Sequence, residues 1–307
     1  MENPQIIQAP ELERETGLSN DLLRKWRSRY GFPLALKQED GRQGYSREQI
    51  NQLCLIKRLL DAGFRPALIV GKPLVDLERL LTAVADGQKT VSWSPTSCDA
   101  LAFLRANDID GLTQYLVRDL TLHGLTGFVR KTVAPLATDL GKAWVNGLIE
   151  VYQEHLCTDV LLRILYAELS FAKPQPGCPR ILFATPSDEL HMLGMLMAQA
   201  VLADHGAHCI SVGSQTPVGE IEKAARAWQA DIVAISFSFA YPTRRIRPLL
   251  AHLRSQLPEQ IEIWAGGAGV AQIKRAPAGV RIFTDLYQPV LALQERLASQ
   301  AASPVGN

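Results

Sequence analysis

The chain has 307 residues, 47% of them hydrophobic and 21% charged, and a net charge of +1. That composition describes a globular protein of two or three domains with ample core, and with so small a net charge any affinity for nucleic acid must be local. No apolar run reaches the roughly 18 residues of a membrane span, and Met1-Glu2-Asn3-Pro4-Gln5 lacks the features of a signal peptide. Five scattered cysteines without a C-x-x-C pair argue against a disulfide frame or a zinc site and for reduced thiols in a cytoplasm.

The local charge sits near the start. Between Asp21 and Arg47 there are seven bases and three acids. Pro10 to Leu18 reads as a short helix ended by Gly17. Ser19 or Asn20 caps a second helix through Asp21-Leu22-Leu23-Arg24-Lys25-Trp26-Arg27. Two short helices around a glycine turn make a helix-turn-helix. Tyr30-Gly31-Phe32-Pro33 ends the second helix, and Asp40 to Ser46 has the turn chemistry of a β-hairpin wing. Ser46 caps a third helix, whose apolar face includes Ile50, Leu53 and Ile56.

These residues resemble the winged helix-turn-helix of the MerR family of transcription regulators. The matching string is Thr16-Gly17-Leu18, Leu23-Arg24-x-Trp26-x-x-Arg29-Tyr30-Gly31-Phe32, Gly41 and Tyr45-Ser46. The resemblance covers about residues 5–72. It implies double-stranded operator DNA as partner, bound by Arg24, Lys25, Arg29 and Arg42 toward phosphates or bases and by Tyr45 in the wing. Trp26 is expected in the core. The family's Gly-x-Arg before the wing aromatic is altered here to Arg42-Gln43. The head is assigned residues 1–73, and residues 74–94 a short helix and linker. No sustained heptad follows, so oligomerisation must come from elsewhere.

Residues 95–173 read as four helices: 97–104, 109–122, 126–144 and 150–171. Their apolar residues recur at spacings of three and four, which suits a four-helix bundle. Trp144 and the pair Glu154-His155 lie in it; taken alone, these residues read as ordinary core or surface positions. Residues 178–303 alternate strand and helix, with strands expected at 180–185, 207–212, 231–236, 261–264 and 280–283. Such alternation builds a flavodoxin-like, Rossmann-type five-stranded parallel sheet, whose ligands bind at the carboxyl ends of the strands. Three features fall at those ends: Glu189-Leu190-His191-Met192-Leu193-Gly194, Ser236-Phe237-Ser238 and Gly266-Gly267. A histidine on such a loop can ligate a metal while the acid two residues earlier accepts its other ring N–H and fixes the tautomer. Gly194 admits something bulky near the backbone, and Gly266-Gly267 offers bare backbone to a flat or extended ligand.

The set E-x-H-x-x-G, Ser-x-Ser and Gly-Gly resembles the cobalamin-binding module of methionine synthase and its relatives, and a preceding helix bundle is that module's cap. With the MerR head, the chain resembles over its full length the CarH/LitR group of cobalamin-dependent photoreceptor repressors, in which the cap carries Trp, nine residues, then Glu-His. Trp144 and Glu154-His155 match that spacing. The resemblance implies a non-enzymatic, light-responsive repressor in the cytoplasm. His191 would be the lower axial ligand of cobalt, oriented by Glu189, with Ser236 extending the relay. Ser236, Ser238 and Gly266-Gly267 would border the nucleotide tail, and Trp144, Glu154 and His155 would surround the upper ligand. Adenosylcobalamin is the implied cofactor, with methylcobalamin as an alternative, and a homo-oligomer, dimer or tetramer, the implied assembly. Val145 stands where the group has a second histidine after the tryptophan. That departure keeps open a light-independent regulator that senses cobalamin or redox state.

Overall fold

The computed structural model describes residues 6–8, 12, 13, 16–37, 43–61, 64–87, 93–273 and 275–302. They form two compact units, one of residues 1–109 and 136–156, the other of residues 110–135 and 157–307. Among the described residues no helix is long and apolar enough to cross a membrane.

The first unit opens with β1 (Ile6–Gln8), α1 (Asn20–Tyr30), β2 (Leu36–Lys37), β3 (Gln43–Ser46) and α2 (Arg47–Asp61). Ser19 caps α1 by accepting from the Leu22 N–H at 3.3 Å, which satisfies one of the helix's orphan donors. Gly31 ends it in the left-handed conformation at φ 71°, its N–H donating to the Arg27 carbonyl, where a side chain would be strained. Ser46 Oγ accepts from the Gln49 N–H and caps α2. The three strands pair antiparallel in the order β1-β3-β2. Leu23 and Trp26 of α1 and Ile50, Leu53, Ile56 and Leu59 of α2 share one core. The helices α3 (Pro66–Ile69) and α4 (Leu74–Gly87) follow. The same unit holds α5 (Pro95–Arg105), most of α7 (Ala134–Val145) and the start of α8 (Val151–Phe171). Gln153 of α8 donates to the Leu104 carbonyl at the end of α5.

The second unit takes most of α6 (Ile109–Phe128), a π-helical turn at Val129–Val133 and the rest of α8. Gly124 breaks α6 with non-helical angles, φ 66° and ψ 173°, where the sequence predicts the boundary between two helices. The Thr126 hydroxyl ties the end of α6 to Asp204.

Beyond residue 178 come β4 (Arg180–Ala184), α9 (Leu193–Asp204), β5 (His208–Ser211), α10 (Val218–Ala227), β6 (Ile232–Ser236), α11 (Thr243–Gln256), β7 (Glu262–Gly266), β8 (Val280–Ile282) and α12 (Gln288–Ala302). The strands form one parallel sheet in the order β5-β4-β6-β7-β8. The three central strands are buried almost end to end, as helices on both faces of a parallel sheet require. Strand order reverses beside β4, and β4, β6 and β7 lie side by side. Their carboxyl ends therefore share one edge, which is where such sheets hold ligands.

Candidate functional site

The loop after β4 is held from both sides. Thr185 Oγ1 donates to the Glu189 carbonyl at 2.6 Å and accepts from the Gln215 N–H at 3.0 Å. Arg245 at the start of α11 donates to Asp188 at 2.9 Å, and Asp188 sits at φ 68°, a conformation that short polar side chains tolerate. The loop delivers Glu189 inward and His191 outward: the Glu189 side chain is 2% exposed and that of His191 is 62% exposed.

The Glu189 carboxylate is fully engaged. Its Oε1 accepts from the backbone N–H of His191 at 2.9 Å and faces His191 Nδ1 at 2.8 Å. Its Oε2 accepts from the backbone N–H of Ser238 at 2.8 Å. Burial on its own pushes this carboxyl up, but the donors from His191 and Ser238 outweigh it and hold the group below its ordinary value. A carboxylate facing Nδ1 puts the imidazole proton there, so Nε2 presents its lone pair outward. Ser238 Oγ lies 3.2 Å from the same Nδ1 and accepts from the Ala240 N–H.

A depressed carboxyl pKa ties stability to pH. The contribution of Glu189 is fully present above the ordinary value of 4.5 and is lost as pH falls through the lower folded value. In denaturant titrations the second unit of the native chain is expected to lose stability in that acid window. In a Glu189→Gln variant that part of the acid dependence should be absent.

The structure changes three expectations. The relay from Glu189 runs to Ser238, not Ser236, because the chain turns beyond β6 and aims the Ser238 N–H at the carboxylate; Ser236 instead lies against Gly194, 3.6 Å from where a Cβ would stand. Gly267 owes its missing side chain to a contact within the protein. At φ 92°, its Cβ would fall 2.3 Å from the Phe237 carbonyl, so the loops after β6 and β7 already fill that space. Gly269, which the sequence pattern does not single out, does the same: its Cβ would lie 2.5 Å from the Ser238 carbonyl. Both glycines let the β7 loop close on the segment that carries Ser238. Gly266 is less crowded, with 3.7 Å to the Phe283 carbonyl. The third change is Tyr45. It is 4% exposed, packed in the head core and hydrogen-bonded by Arg27, so it cannot face a DNA groove.

In the head, Arg24, Lys25 and Arg29 are exposed on α1, the first two paired with Asp21. Arg42 lies outside the described residues. Trp26 is buried. Trp144 ends α7 with Lys57 and Arg58 of α2 over its ring at 5.5 and 5.7 Å. Glu154 and His155 occupy the first turn of α8, with Nε2 of His155 3.5 Å from Glu154.

Among the described residues no group of three or more histidines, cysteines or acids could hold a bare metal ion. The residues at the sheet edge suit a metal that arrives inside a macrocycle. One oriented imidazole nitrogen points outward, and Leu190 and Phe239, next in sequence to His191 and Ser238, are exposed apolar side chains of the two loops.

Comparison with known proteins agrees with both halves. Residues 8–71 match the MerR HTH family regulatory protein family. Residues 179–283 match the B12 binding domain. The HTH-type transcriptional repressor CarH of Myxococcus xanthus is 27% identical over 257 residues, covering 82% of this chain and 85% of its own. The HTH-type transcriptional repressor CarA of the same organism is 27% identical over 271 residues, covering 86% and 88%. Among solved structures, the monomethylamine corrinoid protein of Methanosarcina barkeri aligns at 14% identity and a TM-score of 0.48, over 64% of this chain and 96% of its own. The chain thus joins a MerR helix-turn-helix module to a B12 binding domain and is similar over most of its length to CarH-type regulators.

Proposed function

We propose that this protein is a cytoplasmic transcription repressor that binds adenosylcobalamin, ligates its cobalt through His191 and loses operator DNA in light. The observation that carries the reading is the Glu189–His191–Ser238 constellation in a chain that also bears a DNA-binding head. Bound adenosylcobalamin would supply a light-labile cobalt–carbon bond. His191 would hold the cofactor by Nε2, and Glu189, anchored by two backbone N–H groups, would keep the ring in the ligating tautomer. Ser236, Ser238 and the Gly266-Gly267 backbone would border the nucleotide tail. Trp144, Glu154 and His155 would surround the upper group, the indole offering an apolar face and the polar pair meeting hydroxyls. Arg24, Lys25 and Arg29 would contact phosphates or bases. Several weak heads joined in a dimer or tetramer bind one operator far more tightly than a single head, so a change of assembly would switch DNA affinity.

The test uses the purified protein loaded with adenosylcobalamin in darkness and a duplex selected from a random pool by that complex. Green light is expected to change the absorption spectrum, alter the sedimenting size and release the duplex. Unchanged DNA binding after complete photolysis would remove light from the reading. Val145 supports a second reading, a light-independent sensor of cobalamin or redox state, since valine stands where the resemblance implies a second histidine after the tryptophan. Equal DNA binding with methylcobalamin and adenosylcobalamin, in dark and light, would favour it.

A further inference from the structure

We propose that Lys57 and Arg58 of the DNA-binding head clasp Trp144 as an intramolecular latch, and that a group stacked on Trp144 competes with that clasp. The clasp stands on the first unit alone. Its competition with a ligand rests on the reading above, which places the upper group of the cofactor at Trp144.

Lys57 and Arg58 are consecutive residues of α2, the helix that follows the wing. Their cations lie 5.5 and 5.7 Å from the centre of one indole ring, within the range in which a cation is drawn to an aromatic face. Arg58 also reaches the turn after Trp144. Its Nη2 lies 4.0 Å from Glu150, and its Nη1 would stand 3.7 Å from a Cβ at Gly147. That turn is tight, with Gly147 at φ 68° donating to the Trp144 carbonyl. One arginine thus spans a tryptophan, a glycine turn and a glutamate, and its side chain is only 18% exposed.

The contact is also incomplete. Trp144 Nε1 and Arg58 Nε are both buried without a hydrogen-bond partner among the described residues. Each such N–H loses its water and gains nothing, a penalty comparable in size to a cation–π attraction. The penalty offsets part of that attraction, and the reach of Arg58 to the turn and Glu150 keeps the balance toward closure, so the clasp is closed but weakly secured. A ligand that stacks on the indole and pairs its N–H would tip the balance and free two cations of the head.

Hydrogen exchange on the full chain, read over residues 47–61 and 144–150, tests this. Without cofactor, Arg58→Met is expected to raise exchange in both segments about tenfold, as loss of a cation–π-sized contact requires. Arg58→Lys, which keeps a cation over the ring, should restore most of the protection. Glu150→Gln, altered at a 68% exposed side chain that cannot unfold the core, should raise exchange in the same segments by less. Adding adenosylcobalamin in darkness to the native chain should speed exchange over 47–61, and in Arg58→Met it should not. Unchanged exchange in both segments of Arg58→Met and Glu150→Gln would overturn the clasp. Unchanged exchange over 47–61 in a native chain whose spectrum shows bound cofactor would overturn the competition. Failure of the spectrum to show binding would overturn the cofactor reading, and the competition with it, while the cofactor-free variants still decide the clasp.

Discussion

Replacing His191 by alanine is expected to cost more than roughly 100-fold in affinity for cobalamin, since even the outer partners of a metal-bound histidine are worth about 10–100-fold. The fold should survive, because the imidazole is largely exposed and its removal leaves no cavity. Glu189→Gln is the sharper companion, with an expected loss of about 10–100-fold. A glutamine amide can donate to Nδ1, and the ring proton then moves to Nε2 and blocks the ligating lone pair. Titration followed by absorption in darkness gives both numbers. Native affinity in His191→Ala would mean that some other atom holds the metal.

Gly267→Ala is expected to destabilise the second unit by roughly 3 kcal/mol or more, the largest effect of any single methyl group added at this sheet edge. Two penalties combine there. Alanine at φ 92° is strained, and its Cβ would meet the backbone carbonyl of Phe237 at 2.3 Å, where no side chain can swing away. Relief requires the segment 237–238 to move, which withdraws the Ser238 N–H from Glu189. Chemical denaturation should therefore show the loss of stability, and cobalamin titration a weaker complex. Alanine at Gly213, whose Cβ would meet nothing but whose φ is 84°, separates strain from collision. Equal losses at the two positions would remove the backbone collision from the explanation.

Local chemistry made much of this legible in the sequence. Ser19 and Ser46 cap the helices expected of them, and the five strands fall within two residues of their expected bounds. The helix break near Gly124 was readable because glycine after an apolar stretch is a weak point in any helix. Less was readable where backbone groups do the work. Nothing in the string Ser-Phe-Ser says which serine turns its N–H to a carboxylate, because that depends on how the chain leaves β6. The closeness of Gly269 to Ser238 depends on two loops meeting, not on either alone. Tyr45 points inward because of the pleat of a short three-stranded sheet, which alternation over four residues cannot set. The approach of Lys57 and Arg58 to Trp144 joins distant parts of the chain and leaves no periodic trace.

The solitary outward nitrogen of His191 has a consequence for what the protein ignores. A hydrated zinc or nickel ion would find there, among the described residues, no group of three histidines, cysteines or acids to close around it. Only a metal that travels with most of its coordination already filled benefits from that one attachment. Scarcity of donors is thereby a filter, and it screens out the commoner ions of a cell without any residue devoted to rejecting them.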